Sequence, residues 1–238
     1  MAYNFPNSPA VDDIFGRYKW DGEKWILTVG GRPKPPPPTV TWDPTTINGV
    51  TLSGGNLAVT NNGYDDMNQG ARVASANGKS TGKHYFEIIL TNLQNTGGNI
   101  VNCWGVAMVS SSYYGVGSAG SGAVTMGQNG TVIMNGSGMG GASVGQRATG
   151  DVIGVAVDLT NKRHWFRVAP SGNWNNSGTA NPATNVEGID ISVLTGVLAP
   201  ICTFGYWSTT PGNIFTANFG ASAFIGAVPS GFASGWLI

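Results

Sequence analysis

An all-β chain, folded as a two-sheet antiparallel β-sandwich behind a small N-terminal β-hairpin module, is what this sequence predicts, and three observations lead there. The first is composition: the 238 residues include 37 glycines and only 12 basic and 12 acidic side chains, with few of the Ala/Leu/Glu/Lys runs that favour helices. The second is the stretch Gly150 to Val168, GDVIGVAVDLTNKRHWFRV, where Ile153, Val155, Val157 and Leu159 alternate with Val152, Gly154, Ala156 and Asp158. That two-residue period belongs to a strand. Thr160-Asn161-Lys162 interrupts it and His164 to Val168 alternates again, so two antiparallel strands joined by a tight turn are expected. The bulky odd face requires a second layer and the small even face admits close packing, as in a central strand of a sandwich. The third observation is that short apolar runs, separated by turn residues, continue from Thr39 to the end.

Residues 1–29 read as an aromatic module. Phe5, Phe15, Tyr18, Trp20 and Trp25 are spaced among Pro6, Pro9 and Gly16, and YKWDGEKW at 18 to 25 predicts a hairpin turning at Asp21-Gly22 in a type I′ turn. A lone hairpin is marginally stable, so these five aromatics are the expected docking or assembly residues. Residues 30–38, GGRPKPPPP, end in four consecutive prolines, which cannot join a ladder and favour an extended spacer.

The sandwich is assigned to 39–238. Strands are expected at Val50 to Thr60 with a break at Gly54-Gly55, at Ala71 to Ala76, and in the apolar runs His84 to Leu90 and Asn102 to Val109. Ser110 to Gly150 is rich in Gly, Ser and Asn, with two short strands, Ala123 to Met126 and Thr131 to Met134, about a turn at Asn129-Gly130. Pro170 to Gly188 reads as a polar loop, Ile189 to Leu194 as a strand or short helical turn, and Leu198 to Trp207 and Ile214 to Phe219 as strands. No internal repeat of about 20 to 50 residues is evident, which argues against a propeller or solenoid.

Four blocks in order resemble a SPRY (B30.2-type) domain over most of 39–238: GKHYFEIIL at 82 to 90, CWGVAMV at 103 to 109, GDVIGVAVDLTNKRHWF at 150 to 166, and FTANFGASAFIGAVPSGF at 215 to 232. The resemblance implies a bent, concanavalin-like jelly-roll sandwich whose rim loops bind partners. The 110–149 and 170–188 segments match nothing in that pattern, so it speaks to fold more than to ligand. At the N-terminus, FPNSP followed by YKWDGEKW resembles a short module of tail-fibre and other virion proteins of tailed bacteriophages.

Charge excludes some classes. Twelve basic and twelve acidic residues cancel and form no basic stripe, so no nucleic-acid partner is expected. The N-terminus has neither a cationic nor a continuous apolar region, and nowhere do about 18 apolar residues run together, so neither export nor membrane insertion is expected. Glycosidase chemistry needs two flanking carboxylates, and Glu87 has no acid two or four residues away on its strand. Asp151 and Asp158 fall where the resemblance implies structural acids. Asp65-Asp66 lacks the full oxygen set of a calcium loop, and His84 and His164 have no neighbouring metal ligands. Cys103 and Cys202 each lie in an apolar run and are expected to be buried free thiols. No cofactor, metal or catalytic residue is therefore assigned.

Aromatics in polar loops are the remaining candidates. Tyr113, Tyr114, Trp174, Tyr206 and Trp207 lie in or beside Ser/Asn/Gly segments, a mixture that suits glycans or protein epitopes. The function expected is a non-enzymatic virion protein of a tailed phage, made in the host cytoplasm and docking by its N-terminus onto other virion proteins. It would be a homo-oligomer, trimeric by preference, that presents the sandwich to a host-surface glycan or protein. The alternatives are an intracellular SPRY adaptor and a carbohydrate-active enzyme on a jelly roll.

Overall fold

The computed structural model describes residues 14–15, 18–20, 23–27, 40–63, 69–94, 102–113, 120–139, 142–205 and 211–238. The chain divides into two compact units, Met1–Pro38 and Thr39–Ile238.

In the first unit β1 (Ile14–Phe15), β2 (Tyr18–Trp20) and β3 (Trp25–Leu27) form a three-stranded antiparallel sheet. A two-residue turn at Asp21-Gly22 would set Trp20 opposite Glu23. The register instead pairs Trp20 with Trp25, with their ring centroids 5.7 Å apart. A cross-strand aromatic pair adds about 0.5–1.5 kcal/mol beyond its buried area, enough to favour a longer connection over the tighter turn.

The second unit is built of short strands. They are β4 (Val50–Ser53), β5 (Ala58–Asn61), β6 (Gln69–Arg72), β7 (Lys83–Asn92), β8 (Asn102–Met108), β9 (Ala123–Gly127), β10 (Val132–Met134) and β11 (Ser137–Gly138). There follow β12 (Val152–Asp158), β13 (Arg163–Ala169), β14 (Ile189–Asp190), β15 (Leu198–Phe204), β16 (Ile214–Asn218) and β17 (Ala233–Ser234). Among the described residues there is no α-helix; the only helical turns are three-residue 3₁₀ segments. One sheet runs β11-β10-β9-β8-β15-β6. The other runs β14-β13-β12-β7-β16-β5-β4, with β17 joining β7 as a parallel pair.

The hairpin at the centre of the sequence is also central in space. Strand β12 lies between β13 and β7, paired in register from Val152↔Ala169 and Val152↔Ile89 to Asp158↔Arg163 and Asp158↔Lys83. Its odd residues Ile153, Val155 and Val157 enter the layer between the sheets, beside Phe86, Ile88, Trp104, Val106, Phe166 and Phe215, all fully buried. Two aromatics outside the expected strands complete this core. Trp42 meets Phe219 edge-on at 5.0 Å, and Trp236 meets Phe86 edge-on at 6.0 Å. The indole nitrogens of Trp42 and Trp236 donate to Leu57 O and Asn77 O, so each ring is buried without orphaning its polar atom.

Cys103 and Cys202 are both free and buried. They lie diagonally on paired strands, Cys103 opposite Thr203 and Cys202 opposite Trp104. Strand alternation therefore sends the two thiols to opposite faces of the sheet. Burial pushes the Cys103 thiol up to about 12, despite hydroxyls of Thr125 and Thr203 beside it. The hairpin acids are structural: Asp158 holds Lys83 at 3.2 Å and caps Asn161 N, and Asp151 meets Arg147 at 3.2 Å and accepts from Ala148 N.

Candidate binding surface

The outer face of the eight-stranded sheet is set by one alternation on three strands. Glu87, Gly154 and Arg167 form one cross-strand row, and Tyr85, Ala156 and Trp165 form the next. The small residues in the middle of each row make room for the large ones on either side. A Cβ at Gly154 would stand 2.8 Å from the Tyr85 hydroxyl and 3.3 Å from Arg167 Cγ.

Glu87 is fully buried and anchors a loop. One carboxylate oxygen accepts from the Tyr85 hydroxyl at 2.7 Å and from Gly226 N at 2.7 Å, and the other accepts from Ile225 N at 2.9 Å. Burial first, and then the adjacent Glu87, raises the Tyr85 phenol above its usual range, so it stays a proton donor. Arg167 donates to Ala227 O at 2.7 Å. The 222–228 loop is thus fastened at three successive residues, and the Ile225 side chain it carries is 56% exposed.

A second loop closes over the same face. The Arg167 guanidinium lies 4.4 Å from the centroid of the Trp174 ring, and Tyr85 meets both Trp174 and Phe224 edge-on. Asn175, in a left-handed conformation with φ 48°, accepts from Phe166 N and donates to His164 O and Glu187 O. The 174–187 segment is thereby stitched to β13, and Trp165 Nε1 binds Val186 O at 2.9 Å. Phe224, Val228, Ala180 and Trp174 are partly buried and pack on Tyr85, Ala156, Trp165 and Phe232. Together they form a firm, low-charge shelf edged by the exposed Ile225 and Val186. Tryptophan and tyrosine rings and an arginine guanidinium are among the groups that dominate protein-contact energetics.

The aromatics singled out by sequence do not share one site. Trp174 lies on this shelf, partly exposed. Tyr113 covers the outer face of the other sheet, over Ala107, Ala123 and Ile201. It is 7% exposed, its hydroxyl donates to Thr46 O at 2.7 Å, and its ring lies so close above Gly70 that a Cβ there would be 2.7 Å away. Tyr113 therefore pins a loop and offers no open face to a ligand. Tyr114, Tyr206, Trp207, Phe5 and Asp65-Asp66 lie outside the described residues. Phe15 is in β1, with its side chain also outside them, and Tyr18, Trp20 and Trp25 are half-buried within the small sheet.

The sequence reading missed Arg167, Ile225 and the anchoring role of Glu87. The signals were the Tyr85-x-Glu87 pair on one strand face and a basic residue in the facing hairpin arm. What makes them a site is the pair of loop amides at Ile225 and Gly226, a contact across 138 and 139 residues of chain.

A second feature is a rim cavity of about 270 Å³ lined by Leu93, Gln128, Gln146, Arg147, Ala148 and Thr149. Arg147 there already serves Val144 O, Gly145 O and Asp151, which makes it a loop staple. Among the described residues no three His, Cys, Asp or Glu side chains converge as metal ligands.

No protein-family model matches the sequence, and neither does any curated protein. Solved structures do match in fold. The SPRY domain of human HERC1 superposes with a TM-score of 0.54 at 15% identity, over 74% of this chain and 96% of that domain. The TRIM65 PSpry domain superposes with a TM-score of 0.50 at 15% identity, over 76% of this chain and 90% of the other. The fold is a SPRY-like antiparallel β-sandwich.

Proposed function

We propose, with the SPRY-like sandwich as premise, that this chain is a non-enzymatic binding protein whose contact surface is the Trp174–Arg167–Ile225 shelf. The observation that carries the proposal is the fastening of an exposed apolar tip, Ile225, by a buried carboxylate at its own backbone amide. A loop whose backbone is already held loses little freedom on contact, which favours affinity. Among the described residues the Trp174 indole N–H has no acceptor, so it is free to recognise a polar group beside that tip.

The finer reading is a structural protein of a tailed-phage particle. The short Trp20–Trp25 sheet would dock it or trimerise it on other virion proteins, the proline run would space it outward, and the sandwich would meet a host-surface glycan or protein. Repetition on a particle would turn modest single contacts into avid binding. Immunogold electron microscopy with an antibody to residues 39–238 tests this reading. Label at one discrete place on intact particles supports it, and protein found only in infected-cell lysate removes it. In that second outcome the same shelf serves an intracellular SPRY adaptor. Screening the full chain on polysaccharides should yield no turnover, since both Glu87 oxygens are committed to the loop; turnover abolished in Glu87→Gln would establish an enzyme instead.

A further inference from the structure

The chain has two histidines, and the fold sets both in one cross-strand row. Reading across β17, β7, β12, β13 and β14, the row is Ala233, His84, Val157, His164 and Ile189. Val157 belongs to the layer between the sheets, so both imidazoles face inward. His164 is fully buried against Phe166 at 4.3 Å, and among the described residues neither ring nitrogen has a hydrogen-bond partner. His84 packs on Trp236 at 4.9 Å; its Nε2 meets Thr81 O at 3.1 Å, and its buried Nδ1 has no well-formed hydrogen bond among the described residues, although the Gly235 carbonyl is near enough to favour the charged ring.

Among the described residues no negative charge balances either ring. The neighbouring row carries Lys83, Asp158, Arg163 and Asp190, but these project to the outer face and pair there, Lys83 with Asp158 and Arg163 with Asp190. Strand β17 supplies only Ala233 and Ser234, and β14 supplies Ile189 beside His164. Lys79 is close enough to His84 to oppose its protonation further. Among the described residues no carboxylate stabilises an imidazolium at either position.

The two ends of the row are its weakest strands, β14 and β17, of two residues each. They also close the two shelf loops: β14 ends the 170–188 segment, and β17 ends the segment containing Phe224, Ile225 and Val228. We propose that this histidine row is an acid-operated latch, in which protonation of His84 and His164 frees β14 and β17 and loosens the shelf they hold shut. As a control on binding, the inference rests on the shelf being the contact surface; as a structural switch it stands on the row alone.

The sign follows from burial. Desolvation holds both rings below the usual 6.5, His164 at about 3. The closed form therefore has its full stability above about pH 6.5 and loses it as the pH falls from there toward those lowered values. Each histidine raises the open population by up to about tenfold per pH unit over that range.

Native-state hydrogen exchange on the full chain, with no partner present, tests this. The reporters are the amides of Val186, Ile191 and Trp236, which donate to Asn181 O, Lys162 O and Phe219 O. After division by intrinsic rates, their protection should fall at least about tenfold from about pH 7 to about pH 5 and should stay below that of Val155 in β12, which exchanges only when the whole sandwich unfolds. His164→Phe should flatten the response of Val186 and Ile191 and leave that of Trp236, and adding His84→Phe should flatten all three. Should the variants fail to fold, the wild-type profile decides. Flat protection at the reporters, reporter protection equal to that of Val155 at every pH, or a response that persists in the double variant would overturn the latch. Because exchange is read on the free chain, such a failure leaves the binding proposal untouched.

Discussion

On the outer face of the six-stranded sheet, Tyr113 lies flat over Gly70 with its hydroxyl bonded to Thr46 O. On the outer face of the eight-stranded sheet, Trp174 lies against the Arg167 guanidinium, partly exposed and with no acceptor for its N–H among the described residues. Both rings come from polar, glycine-rich stretches and both cover a sheet. The difference is where the polar tip goes. A ring whose polar atom finds an internal partner becomes a pin; a ring held by its face keeps an edge and a donor for something else. The anchoring differs as well: a cation serves both sides, since Arg72 lies 5.8 Å from the Tyr113 ring centroid and donates to Ser111 O, but the Trp174 side adds a buried carboxylate, Glu87, that accepts from two loop amides.

The largest expected effect separates these anchors. Glu87→Ala orphans the Tyr85 hydroxyl and the amides of Ile225 and Gly226 and should cost about 3–5 kcal/mol by chemical denaturation, since it leaves buried donors unpaired. A loss below about 1 kcal/mol would mean that the shelf loop is not fastened through Glu87.

On the opposite face, Gly70→Ala places a Cβ 2.5 Å from Cys202 O and 2.7 Å from the Tyr113 ring. Backbone cannot retreat as a flexible side chain can, so about 1–3 kcal/mol should be lost, with Tyr113 displaced. Unchanged stability there would show that the Tyr113 pin is loose.

Acid sharpens the contrast, because both histidines lie in the eight-stranded sheet. Each pH unit below about 6.5 should remove up to about 1.4 kcal/mol through His164 alone, until its lowered value of about 3 is reached. His164→Phe should flatten that slope in denaturation measured at successive pH values. The smallest effect is Tyr113→Phe, which deletes one hydrogen bond and should cost about 1 kcal/mol. Thermal denaturation would detect it, and no change would indicate that the ring alone pins the loop.

Local patterns in the sequence were enough for the central hairpin. The period of Ile153, Val155 and Val157 predicts both the strand and its inward face, and the strand pairs β9 and β10 were legible from Asn129-Gly130 between two apolar pieces. Where distant contacts decide, the sequence was silent. Tyr113 and Trp174 look alike in composition, and their fates depend on Thr46, 67 residues away from Tyr113, and on Arg167 in a neighbouring strand. The Asp21-Gly22 signal predicts a tight turn, but the aromatic pair sets a wider register. Trp236 stands in a short closing segment with no period to reveal it, yet it fills the core beside Phe86 and His84. Glu87 has no second acid two or four residues away on its strand. That absence said nothing of the two loop amides that define its role.

On the virion reading proposed above, the most direct test of the shelf as the contact surface is saturation binding of the labelled full chain to intact cells of a susceptible host. Ile225→Asp and Trp174→Ala should each weaken binding by at least about tenfold, the loss expected of a central contact residue, while Tyr113→Phe keeps the wild-type affinity. Wild-type binding by a folded Ile225→Asp variant, or an equal loss in Tyr113→Phe, would contradict the account.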